Sequence, residues 1–270
     1  MVRYQVRESK ILYDGAFTLI YRKLLIAGFF SVSLLLVNGC FHSSVVLDSS
    51  QKTSPQTIQF SGFEWLVKSS SEEVGPGPNY FSPQNVWIDT VGSLHLSINY
   101  TKSHWRCAEV QSVKQFGFGT FKITTPTNFA TLNPQAVFGF FLYDTCDGLK
   151  NHEIDIEFSR WGTKQSEFGQ YTFHGHTNLF KQSFHYNEMC ETTHSIIRLP
   201  ESINFRSNQI LDSSASYSER NLVQHTILHP DVIFSGNEPV YFNLWLYEGK
   251  PLVSDTTMEV IIQKFEYEPR

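Results

Sequence analysis

The sequence predicts an all-β fold, a sandwich or a barrel. Short runs of alternating apolar and polar residues recur roughly every 8 to 15 residues, with Gly, Pro, Asn and Asp between them. No long stretch keeps the 3.6-residue period of an amphipathic helix. Aromatic residues make up 15% of the chain and charged residues only 17%, a balance that suits a large aromatic core, a ring-lined groove, or both. The chain shows no internal repeat.

The folded part is expected from about Gln59, where Phe60, Phe63 and Trp65 gather. Gly75-Pro76-Gly77-Pro78 marks a sharp loop. Asn85-Val86-Trp87-Ile88 reads as a strand, and so does Ser93 to Ile98, after the turn signal Val91-Gly92. Further strands are expected at Ala108 to Val113, Gly119 to Thr124, Ala136 to Tyr143, Glu153 to Phe158 and Gly169 to His174. The later ones are Thr193 to Arg198, Ile203 to Arg206, Pro239 to Leu246 and Met258 to Tyr267. Residues 218–233 fit a short helix or a strand equally well. The run Val137 to Tyr143 is apolar on both faces, so one face is core and the other either packs or offers rings to a ligand.

Before Gln59 the composition changes. Arg3, Arg7, Lys10, Arg22 and Lys23 precede an uncharged apolar stretch, Leu24 to Val37. That stretch is shorter than the roughly 20 residues a transmembrane helix needs, and it reads as a secretion signal. Val37-Asn38-Gly39-Cys40 resembles a bacterial lipobox, which implies cleavage before Cys40 and acylation of its thiol. An uncleaved anchor and an ordinary signal peptide are the alternatives. Residues 1–39 are therefore expected to be a lipoprotein-type signal, 40–58 a Ser/Thr-rich tether and 59–270 one β-sandwich domain. Export permits a disulfide among Cys107, Cys146 and Cys190, with no pairing favoured. The expected location is the cell envelope, or outside the cell if the anchor is absent. The net charge of −5 offers no basic patch, so nucleic acid is excluded as a partner.

The chemistry concentrates in His152-Glu153-Ile154-Asp155-Ile156-Glu157-Phe158. On a strand, Glu153, Asp155 and Glu157 share one face, while Ile154, Ile156 and Phe158 share the other. Acids are poor strand formers, and like charges on one face repel, so the arrangement costs stability. The two glutamates start ~13 Å apart along the strand. Their side chains can lean together on a bent sheet to roughly 5 Å, the separation used in retaining glycoside hydrolysis. Asp155, midway, can hold the two at different pKa values.

The Glu-Ile-Asp-Ile-Glu pattern resembles the active-site strand of glycoside hydrolase family 16. Four further segments agree in order, from about Trp65 to Tyr267. They are Cys107 to Ser112 with Phe116 to Phe121, Thr193-His194-Ser195 with Pro200 and Ile203 to Phe205, Asn243-Leu244-Trp245, and Met258 to Tyr267. The resemblance implies a concanavalin A-like jelly-roll β-sandwich with a groove across one sheet. It implies Glu153 as nucleophile, Glu157 as acid/base and Asp155 as their assistant, with Glu109, Asn243 and Trp245 touching substrate. The unbulged motif is similar to that of lichenases and xyloglucan enzymes, which points to a β-glucan-type polysaccharide. Trp105 and His174 are added as substrate-binding candidates. Four positions depart from the family pattern, Gln111, Asn151, Thr172 and Arg198, and they leave the glycan open.

No cofactor is implied. A structural calcium ion has no support in the sequence, and His174-Gly175-His176 reads as groove or surface rather than a metal pair. Trp161 reads as packing at the sandwich edge. There is no zinc-type cysteine spacing and no GxSxG element. The expected activity is that of a monomeric retaining endo-β-glycosidase, touching membrane only through a lipidated N-terminus. A transglycosylase or a non-catalytic glycan-binding lipoprotein of the same fold are the alternatives.

Overall fold

The structure, a computed structural model, describes residues 55–144, 152–175, 179–186, 191–212, 218–228, 237–254 and 256–270. The expected signal segment, Cys40, most of the tether, Cys146, Asn151, His176 and Cys190 lie outside the described residues.

The strands in chain order are β1 (Thr57–Phe60), β2 (Phe63–Val67), β3 (Tyr80–Phe81), β4 (Val86–Ile88), β5 (Leu94–Thr101) and β6 (His104–Phe116). There follow β7 (Gly119–Thr125), β8 (Ala136–Asp144), β9 (His152–Phe158), β10 (Gly169–His174), β11 (Leu179–Phe184) and β12 (Thr192–Leu199). The last are β13 (Ser202–Asp212), β14 (Ser218–Leu228), β15 (Glu238–Leu246), β16 (Thr257–Ile262) and β17 (Lys264–Pro269). One sheet of 12 strands runs β1-β2-β6-β15-β8-β9-β10-β11, with β3 and β5 attached at β6, and β4 and β16 on β5. The second sheet has five strands in the order β14-β13-β12-β7-β17.

The core lies between the sheets. From the first come Phe138, Phe140, Leu142, Ile154, Ile156 and Phe158; from the second, Phe121, Ile123, Ile196, Ile203 and Phe205, all fully buried or nearly so. Phe158, on the inner face of the acid strand, stacks on Phe129 at 3.8 Å and meets the buried His194 ring edge-on at 4.8 Å. Burying one such ring stabilises the fold by ~2–3 kcal/mol. This is the stripe that holds β9 in register and turns its acids outward.

Three sequence expectations are settled or revised. The stretch at 218–233 is a strand, β14, over its described part, paired along its length with β13. The expected closing strand from Met258 to Tyr267 breaks at Gln263 into β16 and β17, which join different sheets. Thr125 and Thr127 hydroxyls hold the Ile261 carbonyl there, while the Gln263 amide bonds Thr124. The first strand begins at Thr57, two residues inside the stretch expected to be tether.

Arg198 is buried in β12, in the second sheet. Its guanidinium pairs with the Glu238 carboxylate and donates to the carbonyls of Phe116 (2.9 Å) and Gly117 (2.6 Å). This departure therefore braces the end of β6 against the start of β15 and is no substrate contact.

Candidate active site

Three cross-strand rows build the site on the outer face of the first sheet. In one row Glu109 (β6) pairs with Asn243 (β15), Asn243 with Gly139 (β8), Gly139 with Glu157 (β9), and Glu157 with Gln170 (β10). The next holds Tyr241, Phe141, Asp155, Thr172 and Lys181. The third holds Tyr143, Glu153 and His174. The period-2 alternation read from the sequence thus places all three acids together on one surface.

That surface floors a cavity of about 430 Å³, lined by Glu153, Asp155, Glu157, Glu109, Asn243 and Trp245, with Phe141, Tyr143 and Tyr241 as an aromatic wall. Phe141 and Tyr241 stack at 4.9 Å. The β8 run thus divides as its alternation allowed: Phe138, Phe140 and Leu142 fill the core, while Phe141 and Tyr143 face the groove. Gly75 and Pro76, from the loop read as sharp, close one side. Gly139 lacks a side chain because Asn243 occupies the space: a Cβ there would lie 2.6 Å from Asn243 Oδ1.

Burial dominates the electrostatics. It raises Glu153 to about 6, opposed by the Lys181 charge. It raises Glu157 to about 7, with the Glu153 charge adding to the rise. Lys181 and hydrogen bonds from Gln170 and Thr172 act against that rise; the Gln170 amide donates to Glu157 Oε2 at 3.2 Å and to Thr172 Oγ1 at 2.9 Å. Asp155, 4% exposed, is held well above its ordinary value by burial and by both neighbouring glutamates. That rise at Asp155 eases the repulsion among three like charges on one face. Glu109 is also raised by burial, despite Lys68 Nζ at 2.8 Å. The Asn243 amide donates to Glu109 Oε2 at 3.4 Å, and Asn243 Oδ1 and Asp155 Oδ1 are buried without a hydrogen-bond partner among the described residues. Buried acceptors of this kind fit the hydroxyls of a polyol.

Of the sequence candidates, Glu153, Asp155, Glu157, Glu109, Asn243 and Trp245 come together in the cavity. His174 stands beside Glu153, and one ligand atom from each of Glu153, Asp155 and His174 lies within 4.8 Å of the others. Among the described residues these three could hold a metal ion, although burial raises both carboxyls and so disfavours their charged forms. Trp105 is not part of the cavity; it faces a separate small hollow. Thr172 pairs with Asp155 but is buried behind the cavity lining, and Gln111 lies on β6 beyond Glu109, likewise not lining the cavity. Trp161 packs edge-on against Trp245 at 6.5 Å and Tyr247 at 5.6 Å. Cys107 is a free thiol, buried, pushed up to about 12 and donating to Asn79 Oδ1 at 3.4 Å.

Sequence reading missed Tyr241, Lys68 and Lys181. Tyr241 had a signal, since it alternates with Asn243 and Trp245 along β15. Lys68 follows a short strand, and Lys181 lies in an unforeseen one, so neither could be assigned a face.

No protein-family model matches the chain, and no curated protein matches it. Solved structures do. A Bacillus licheniformis β-glucanase aligns over 81% of this chain and 100% of its own, with TM-score 0.58 and 17% identity. A glycoside hydrolase family 16 endo-glucanase from Bacteroides ovatus aligns over 76% and 94%, with TM-score 0.56 and 13% identity. An immunostimulatory antigen and pseudo β-1,3-glucanase of Mycobacterium tuberculosis aligns over 74% and 88%, with TM-score 0.55 and 17% identity. The chain has the jelly-roll sandwich fold of the β-glucanase and glycoside hydrolase family 16 structures, as its motifs implied.

Proposed function

We propose that the chain is a retaining endo-β-glycosidase acting on a polysaccharide of β-glucan type. One observation carries the reading: two part-buried glutamates, both raised by desolvation, line a ring-walled cavity with the buried Asp155 between them. The rise at both glutamates suits a double displacement, in which Glu153 acts as nucleophile and Glu157 as the proton donor.

In the first step Glu153 attacks the anomeric carbon, and the bond to the leaving sugar oxygen breaks. Glu157 gives that oxygen its proton. In the second step Glu157 takes a proton from water, water attacks the same carbon, and the ester to Glu153 breaks. Tyr241, Phe141 and Trp245 present flat faces to sugar rings, and Asn243 and Glu109 orient hydroxyls. A transglycosylase would differ only in passing the glycosyl group to a sugar hydroxyl.

The test is cleavage of lichenan, laminarin, xyloglucan, agarose and carrageenan, with Glu153→Gln as control. Cleavage of at least one, reduced about 10³-fold or more by the substitution, is expected. Binding without turnover, unchanged by Glu153→Gln, would establish a second reading, a non-catalytic glycan-binding protein. That reading draws on the shared fold of the mycobacterial pseudo-glucanase. We also propose that the protein is exported and anchored by a lipid on Cys40; radiolabelled palmitate should label it and fail to label Cys40→Ala.

A further inference from the structure

We infer that a second, smaller hollow beside the groove is a docking site for a sugar residue of a glycan chain that extends beyond the catalytic cavity; this rests on the polysaccharide reading above. Residues of the 74–79 loop line both hollows. Gly75 and Pro76 line the catalytic cavity, while Pro78 and Asn79 line the smaller one. The loop is pinned at its base by paired backbone hydrogen bonds between Val74 and Asn79 (2.9 and 3.2 Å). The Asn79 amide ties it to the Leu246 carbonyl at 2.9 Å, and Gly77 lies so near Trp245 that a Cβ would be 3.5 Å from its ring. The catalytic cavity and the smaller hollow therefore share this pinned loop as a wall.

The smaller hollow has a volume of about 160 Å³. At ~30 Å³ per water molecule it would hold about five waters, the scale of one pyranose ring. Its lining is aromatic: Trp105 and Tyr100 sit directly opposite one another on β6 and β5, 5.6 Å apart, and Tyr80 packs on His104 at 4.3 Å. Tyr100 is 58% exposed, unusual for a ring with no need to meet water. Glu73, Ser103 and His104 add a carboxylate, a hydroxyl and an imidazole at the rim. Ring faces with a few polar groups at the edge suit a neutral polyol, whose C–H face stacks while its hydroxyls are bonded. The β5–β6 hairpin turns through Lys102 and Ser103, both with positive φ (51° and 68°), a geometry that glycine or asparagine would adopt more easily. This tight turn pairs Tyr100 with Trp105 across the hairpin, their rings meeting edge-on.

The experiment measures binding in the full-length Glu157→Gln background, where substrate is not consumed. The probes are lichenan, laminarin and xyloglucan, each against its own trisaccharide. Tyr100→Ala and His104→Ala, both at exposed positions, are the variants, with melting temperature as the folding control. The expected result is about five-fold weaker binding of the polysaccharide, from loss of one stacking contact, with a clearly smaller change for the trisaccharide. Unchanged polysaccharide binding, or an equal loss for both lengths, overturns the inference and leaves the proposed function standing. If the Glu157→Gln parent binds no glycan and the unsubstituted protein cleaves none, the proposed function fails and the inference with it.

Discussion

Replacing Glu157 with Gln should make the protein more stable at alkaline pH and not at acidic pH. Burial and the Glu153 charge lift Glu157 from 4.5 to about 7. At about 1.4 kcal/mol per pH unit, that rise is worth about 3 kcal/mol. The folded pKa exceeds the unfolded one, so the folded form keeps a proton that the unfolded chain loses between pH 4.5 and about 7. Stability therefore falls as pH rises through that window, and the penalty is complete above it. Glutamine keeps the shape, can still meet the Gln170 amide and carries no such penalty. Part of the energy is shared with Glu153, whose charge acts on the same site, so the gain at pH 8 should be about 1–3 kcal/mol. For a domain of this size that is roughly 2–10 °C in melting temperature. The assay is thermal and urea unfolding of both proteins at pH 4 and pH 8. A difference that does not depend on pH, or a variant less stable at pH 8, would refute the electrostatic account of the site.

Three further outcomes follow from named contacts. His194 is buried between the sheets, its nitrogens facing the Thr192 and Ser207 hydroxyls, and burial lowers it to about 3. The unfolded chain takes up a proton below pH 6.5 that the fold refuses, so stability should fall by about 1.4 kcal/mol per pH unit as pH drops from 6.5; in His194→Gln, unfolding free energies at pH 6 and 4 should lack that component. Gly139→Ala places a methyl 2.6 Å from Asn243 Oδ1 and should raise KM about ten-fold by displacing that amide, measured by steady-state kinetics on the cleaved glycan. Lys181→Met removes the positive charge that opposes burial at both glutamates, so both limbs of the kcat/KM profile against pH should move upward.

The inner half of the fold was legible because hydrophobic alternation is strong there. Ile154, Ile156 and Phe158 dictate the register of β9, and that register alone puts three acids on one face. The Val137 to Tyr143 run left its second face open, because an apolar residue facing a groove and one facing a core look alike in sequence. The break at Gln263 was hidden for a different reason: both halves alternate well, and only the hydroxyls of Thr125 and Thr127, distant in sequence, reveal where the chain changes sheets. Arg198 misled because it stands at a motif position, while its partner Glu238 lies 40 residues away. Trp105 read as a substrate-binding candidate, but its strand position could not show that it lines a hollow apart from the acids.

Double displacement at Glu153 and Glu157 fixes which anomer is released first, and NMR of the product's anomeric proton during cleavage reads it. The β-anomer is expected first, with mutarotation later. Initial release of the α-anomer would refute double displacement, because inversion uses a base and a water in place of a nucleophilic Glu153.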